Sequence, residues 1–226
     1  MRDEWSDEIA LEGYTAGFTA LARDGLPDAA AFTRYFSDHQ AELFPRETED
    51  EIDIAAVMAG SFRDHGVELV DDDVRLFLQA AQGVWSSYYL VADAAHALLD
   101  VLRGRGLKLA LVSNTASPEW LLQPILEQQG IAQRVDTVVL SSEVGKRKPH
   151  RAIFERALAE LGVDAEDALF VGDRLDADVY GASRLGMTTV QALWFRADDA
   201  PVDVEPNYQA FTLMDVLNVA DRLGAQ

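Results

Sequence analysis

The 226-residue sequence predicts an α/β protein, a doubly wound parallel sheet with an all-helical module placed before it. Two observations carry that class. Over residues 1–95 apolar side chains recur three and four apart with no period-two stretch, the signature of amphipathic helices. After about Ala92 short apolar runs alternate with helical patterns, and such alternation demands right-handed crossovers and a parallel sheet covered on both faces. The change of pattern sets a helical module at 1–91 and an α/β core at 92–226.

In chain order, Tyr14, Phe18 and Leu21 mark the face of a first helix. Pro27 suits a first helical position, since it lacks the N–H that a helix start leaves unpaired, and it precedes Phe32, Tyr35, Phe36 and Leu43. Ile52, Ala55, Met58 and Phe62 mark a third helix that stops near Gly66. A fourth starts around Asp72 and runs through Val74, Leu78, Ala81 and Trp85. These stripes read as core, with no chemistry assigned. Four strands follow: Leu107 to Val112, Val135 to Leu140, Ala168 to Val171 and Thr188 to Leu193. Helical patterns occupy Ala95 to Leu102, Pro118 to Gln129, Arg151 to Leu161, Asp176 to Leu185 and Leu213 to Leu223.

Composition narrows the function. With 49% hydrophobic and 26% charged residues the chain is a folded one, and without cysteine it has neither disulfides nor thiolate zinc sites. The net charge of −20 repels phosphate backbones and anionic membranes, so nucleic acid and membrane are excluded as partners. The charge is uneven: residues 1–95 carry 20 acids and 6 bases, residues 96–226 carry 19 and 13. The start Met1-Arg2-Asp3-Glu4 lacks a signal-peptide pattern and no apolar run reaches membrane-spanning length, so a cytoplasmic protein is expected. His39, His65, His96 and His150 are scattered and read as packing or surface residues.

In open parallel sheets ligands bind beyond the carboxyl ends of the strands. Three clusters lie there: Ser113-Asn114-Thr115; Ser141-Ser142-Glu143-Val144-Gly145 leading to Lys146-Arg147-Lys148-Pro149; and Gly172-Asp173 followed by Asp176 and Asp178. Singly, each has an ordinary reading as a turn, a solvated cation or an acidic helix start. Together they make one site. Ser113 and Asn114 would hold phosphoryl oxygens and Lys148 would neutralise them. Asp173 and Asp178 would offer oxygen ligands to Mg²⁺, which takes one or two carboxylates and completes its shell with water and phosphate.

These residues, in this order, resemble the haloacid dehalogenase superfamily of hydrolases over nearly the whole chain. Ser113 in Leu-Val-Ser-Asn-Thr is similar to the family's second motif, Lys148 to its third, and Gly172-Asp173 with Asp178 and Gly181-Ala182 to its fourth. The helical segment resembles the family's cap. The acidic fourth motif is similar to that of the magnesium-dependent phosphatases of nucleotides and small phosphorylated metabolites. The resemblance implies phosphomonoester hydrolysis through an aspartyl-phosphate, with Ser113 and Lys148 catalytic, Ser113, Asn114 and Lys148 binding phosphate, and Asp173 and Asp178 binding Mg²⁺.

The family's first motif, Asp-x-Asp-x-Thr after an apolar strand, has no counterpart. Asp3 has no strand before it, Asp71 and Asp73 are followed by Arg75 and suit helix capping, and Asp198-Asp199 lacks both strand and Thr. This weakens the expected Mg²⁺ site, and the first-motif strand, central in the family, is expected to be missing. Leu109 to Val112 and Ala168 to Val171 nevertheless read as fully buried central strands, so Met1 is expected to be an internal start that leaves the chain inactive as given. The alternative is a non-catalytic relative that binds a phosphorylated ligand or a partner. A receiver domain is a third reading, against which stands the order of the motifs, because receivers place their acids before the Ser and Lys. Arg46 reads as a solvated loop arginine, with contact to substrate as the alternative; substrate identity and oligomeric state stay open.

Overall fold

A computed structural model of the chain describes residues 6–45, 48–194 and 201–224, and two compact units emerge. One is made of the described residues of Met1–Thr48, Ile52–Leu90 and Trp120–Ile125. The other is made of those of Glu49–Glu51, Val91–Glu119 and Leu126–Gln226. Arg46, Asp3 and Asp198-Asp199 lie outside the described residues.

The first unit is helical. Helix α1 (Asp7–Leu21) starts at Ser6, whose hydroxyl accepts the Ile9 amide, and Asp7 and Glu8 set negative charge at the positive end of the helix dipole. Helix α2 (Ala29–Asp38) is capped by Asp28, so Pro27 stands before the cap and not in the first turn. A single turn, α3 (Gln40–Leu43), follows. Helix α4 (Ile54–Asp64) begins at Asp53, which accepts from the amides of Ala55 and Ala56 at 3.0 and 3.1 Å. That cap leaves Ile52 outside the helix. Helix α5 (Asp71–Trp85) opens with Asp71, Asp72 and Asp73, while Val70 at the cap position offers no side-chain hydrogen bond. The acidic cluster thus opposes the helix dipole, not the orphaned amides that capping would serve, and Asp73 also pairs with Arg23 at 3.1 Å.

The interior of this unit is a lattice of rings. Tyr14 meets Phe32 edge-on at 5.3 Å and Phe62 meets Phe77 at 5.1 Å, arrangements that set the positive ring edge against the negative face. Two glycines on α1 make room for it. A Cβ at Gly13 would fall 2.0 Å from Trp85 Nε1, and one at Gly17 2.5 Å from the Phe77 ring. The Trp85 indole also donates to the Ile9 carbonyl at 2.9 Å, closing α5 onto α1.

The second unit is the α/β one. Strand β1 (Ala110–Ser113) pairs in parallel with β2 (Thr137–Leu140), and β3 (Leu169–Gly172), β4 (Thr188–Ala192) and β5 (Tyr208–Ala210) form a second parallel sheet in that order. Helices α6 (Ala95–Gly104) and α11 (Asp215–Gly224) pack Leu98, Leu102, Val216, Leu217 and Val219 against Leu109, Leu169 and Val190. Helix α9 (Arg151–Leu161) packs Ile153, Phe154 and Ala157 against Ala110, Val112, Val139 and Phe170. Leu169 and Phe170 thus serve opposite layers, as alternation along a strand requires. Both layers touch both sheets, which is the doubly wound arrangement.

Three expectations change. Among the described residues there are five strands, not four. The runs read as fully buried are half-buried, and Val171 is 37% exposed, because among the described residues β1 pairs only with β2 and β3 only with β4. The helix expected over Asp176 to Leu185 is a π-helical turn, Leu175–Val179, followed by the short α10 (Tyr180–Ser183). Helix α7 (Glu119–Gln128) and the turn α8 (Ser141–Val144) complete the α-helical elements among the described residues. Among the described residues no helix is long and apolar enough to cross a membrane.

The ring lattice yields a stability test. Gly13→Ala adds a methyl where the Trp85 indole lies, and about 2 kcal/mol of overpacking outweighs the roughly 1 kcal/mol that alanine adds to a helix. Urea unfolding should show a net loss, with Trp85 emission shifted toward that of exposed indole.

Candidate active site

The site forms where β1 and β3 end. Lys148, on the loop between α8 and α9, directs its ammonium to the Val112 carbonyl at 3.1 Å and to Asp178 Oδ1 at 2.8 Å. The Phe170 ring lies 5.5 Å from the same nitrogen. One cation therefore touches the end of β1 and the carboxylate that follows β3, with a ring of β3 close by. Both members of the ion pair are buried, with side chains 12% and 4% exposed. Its geometry lies off the hydrogen-bonding direction, so Asp178 Oδ1 is a buried oxygen without a hydrogen-bond donor.

Asp178 owes its place to two local features. The π-helical turn carries it back toward β3, where its Oδ2 accepts the Arg174 amide at 3.1 Å. Such one-residue widenings of a helix recur at functional sites, because they re-aim a side chain that a regular turn would direct elsewhere. Gly172 clears the space: a Cβ there would lie 2.4 Å from the Asp178 carboxylate. Asp176, in the same acidic run, is engaged by the Arg174 guanidinium through two contacts of 3.0 and 2.5 Å.

Asp173 is half-buried, and burial pushes its carboxyl above the ordinary carboxylate value. The charge of Asp178 adds to that rise, while its own backbone amide, Lys148 and Arg174 act against it. Ser113 closes β1 and is half-buried. Asn114 turns its carboxamide to the main chain of Lys148: Oδ1 accepts the Lys148 amide at 2.7 Å and Nδ2 donates to the Lys148 carbonyl at 3.0 Å.

Several residues of this neighbourhood make contacts that the sequence does not signal. Ser141 accepts the Thr115 amide at 2.7 Å, Ser142 donates to the Ser117 carbonyl at 2.9 Å, and Glu143 accepts the Glu119 amide at 2.9 Å. Three successive side chains of α8 thus grip every second residue of the loop after β1. Glu51, nearly fully buried, accepts from the Ser141 hydroxyl and from Arg147 Nε at 2.9 Å. It lies in Glu49–Glu51, a segment hydrogen-bonded in antiparallel fashion to Gly145 and Arg147. Glu51 sits in a run of acids with nothing to single it out, and no periodicity could have joined it to Ser141, ninety residues on.

The donor set can be tested against Mg²⁺. Among the described residues no three of His, Cys, Asp and Glu converge on one point, so the protein builds no complete cage. Asp173 and the under-coordinated Asp178 Oδ1 instead suit the open kind of Mg²⁺ site, two carboxylates completed by water and phosphoryl oxygens.

The fold and this site define a class. Residues 7–186 match the haloacid dehalogenase-like hydrolase family, and the chain belongs to it. Its particular relatives are phosphatases by name. The chain is 36% identical over 191 residues to the ribulose-1,5-bisphosphate 5-phosphatase of Halopiger xanaduensis, covering 83% of this chain and 69% of that protein. It is 45% identical over 91 residues to the glyceraldehyde 3-phosphate phosphatase of Methanopyrus kandleri, covering 40% and 38%. Across three glyceraldehyde 3-phosphate phosphatases it spans 38% to 53% of their lengths. Among solved structures, a haloacid dehalogenase phosphatase from Thermococcus onnurineus superposes with a TM-score of 0.64 at 22% identity, over 95% of this chain and 92% of that one, a likeness of fold.

Two outcomes are expected. Lys148→Met leaves the Asp178 charge buried and unpaired, at a cost of about 3 kcal/mol, and adding Asp178→Asn restores most of it. A double-mutant cycle in urea reads the coupling. For Asp173 the folded value lies above the unfolded one, so its contribution to stability is full below about pH 3.9 and is lost as pH rises through the raised folded value. Asp173→Asn therefore raises Tm at pH 7, and the gain shrinks to nothing below pH 4.

Proposed function

We propose that this chain acts in the hydrolysis of small phosphorylated metabolites, three- to five-carbon phosphate esters like those that name its relatives. The single observation that carries the reading is the buried Lys148 ammonium at the strand ends, a fixed cation in a protein of net charge −20, flanked by Ser113, Asp173 and Asp178. A preset cation and a hydroxyl donor give an anionic phosphoryl group a place to bind, and they stabilise the charge that develops as a P–O bond breaks. Ser113 would donate to one phosphoryl oxygen and Lys148, through its remaining N–H, to another. Mg²⁺, generally used by the family's phosphatases, would be held by Asp173 and Asp178. Bound there it would neutralise phosphoryl charge and polarise a phosphoryl oxygen. Burial and the charge of Asp178 raise the Asp173 carboxyl, and a cation held by the two carboxylates would favour their charged forms.

In this reading residues 1–91 are the family's helical cap module and 92–226 its core, the protein works in the cytoplasm, and neither nucleic acid nor membrane is a partner. A second reading, a phosphate-binding relative without turnover, is favoured by one specific observation: Asp-x-Asp-x-Thr, the family's nucleophile motif, does not occur in this sequence.

Inorganic phosphate titrated by calorimetry in the presence of Mg²⁺ tests the shared core of both readings. Binding is expected, weakened about tenfold by Ser113→Ala and by Lys148→Met/Asp178→Asn, the loss of one or two charge-assisted hydrogen bonds. Phosphate release from glyceraldehyde 3-phosphate, ribulose 1,5-bisphosphate and phosphoserine separates the two, using this chain and one extended by the in-frame codons upstream of Met1. Turnover by either supports the hydrolase; binding without turnover by both supports the binding protein. No phosphate binding at all would overturn both.

A further inference from the structure

We propose that the side chain of Asn114 is a positioning group that acts through Lys148, its carboxamide being engaged by the Lys148 main chain and not by phosphate. Its carboxamide makes two hydrogen bonds to one residue, accepting the Lys148 amide at 2.7 Å and donating to the Lys148 carbonyl at 3.0 Å. The amide thereby imitates a neighbouring strand and satisfies both main-chain groups of a residue that lies in a loop outside any sheet ladder. The far end of the same lysine returns to the same strand end, where Nζ donates to the Val112 carbonyl at 3.1 Å.

Lys148 is therefore anchored at both ends to the end of β1, to residue 114 by its main chain and to residue 112 by its ammonium, with Ser113 between the two anchors. The physical effect is on entropy. A lysine stem carries roughly 2 kcal/mol of rotamer freedom, and with its backbone held by Asn114 and its ammonium by Val112 and Asp178 less of it is left to lose when the ammonium meets a ligand. Asn suits the task because its carboxamide has a donor and an acceptor side by side, in the spacing of a peptide group. Asp keeps the acceptor and loses the donor; Ala loses both.

The lysine count makes the test direct. The chain has three lysines. Lys108 donates to the Leu161 carbonyl, Lys146 pairs with Asp50, and Lys148 lies in the site. In protein labelled with ¹⁵N-lysine, the Nζ spectrum gives three signals, and a signal lost in Lys148→Met/Asp178→Asn identifies Lys148. In the ligand-free protein Asn114→Ala is expected to move or broaden the Lys148 signal and leave the other two in place. Asn114→Asp, which keeps the 2.7 Å arm and guards against a variant that fails to fold, is expected to move it part of the way.

The proposal rests on the phosphoryl reading only in its second readout, inorganic phosphate binding. There Asn114→Ala weakens affinity about tenfold in the otherwise unchanged protein and not further when Lys148→Met/Asp178→Asn is already present. A Lys148 signal that stays put in both variants, or a loss of affinity that adds fully to that of the lysine variant, would overturn the proposal. If the wild-type protein binds no phosphate, the phosphoryl reading fails, while the ligand-free spectra still decide whether Asn114 holds Lys148.

Discussion

A buried ammonium has to be compensated on every side, and Lys148 is where this fold meets that demand. Taking a lysine out of water costs several kcal/mol unless partners repay it. Here the partners are a carbonyl of β1, the carboxylate of Asp178 and, more distantly, the Phe170 ring. Each imposes a condition elsewhere. Asp178 reaches the cation because the helix after β3 opens in a π turn and because residue 172 has no Cβ. The loop after β1 is gripped by α8, and Arg147, the chain neighbour of Lys148, is tied to the buried Glu51. Features that look unrelated along the chain thus answer one electrostatic requirement.

The two units solve the problem of a core in different ways. The helical unit relies on large rings, and two small residues on α1 let them approach. The α/β unit uses aliphatic layers on both faces of short strands, with Phe154 and Phe170 meeting at 5.0 Å in one of them. Gly181 plays a part there like that of Gly13, since a Cβ would fall 2.5 Å from the Phe154 ring. In both units the glycine is set by close approach and not by backbone conformation.

Much of this was legible in the sequence, and what was not has physical reasons. Runs such as Ala168 to Val171 announce strands because a parallel strand covered by side-chain layers on both faces is apolar on both, and the polar residues after β1, β2 and β3 are legible because sheet topology gathers strand ends. The π turn was not, since Asp176 to Leu185 has the composition of an ordinary helix and only the pull of Asp178 toward Arg174 and Lys148 widens it. Strand β5 is three residues long, too short to show a period. Asn114 was legible as a site residue but not in its contacts: the sequence places a carboxamide beside Ser113, and the partner it turns to, 34 residues on, is fixed by the fold. Glu51 was invisible for the same reason, magnified by its acidic surroundings.

Among the described residues β1 and β3 are paired on one side only, and this decides what holds their other edges. Among the described residues each strand has one laddered edge, so its other edge is held by side-chain layers instead of a continuous run of backbone hydrogen bonds. Layers resist separation through area, ladders through direction, and a boundary of the first kind yields to small sliding motions that a laddered one forbids. Across the seam between the two sheets, side-chain layers and the Lys148 contacts at its end thus take the place that a backbone ladder would hold.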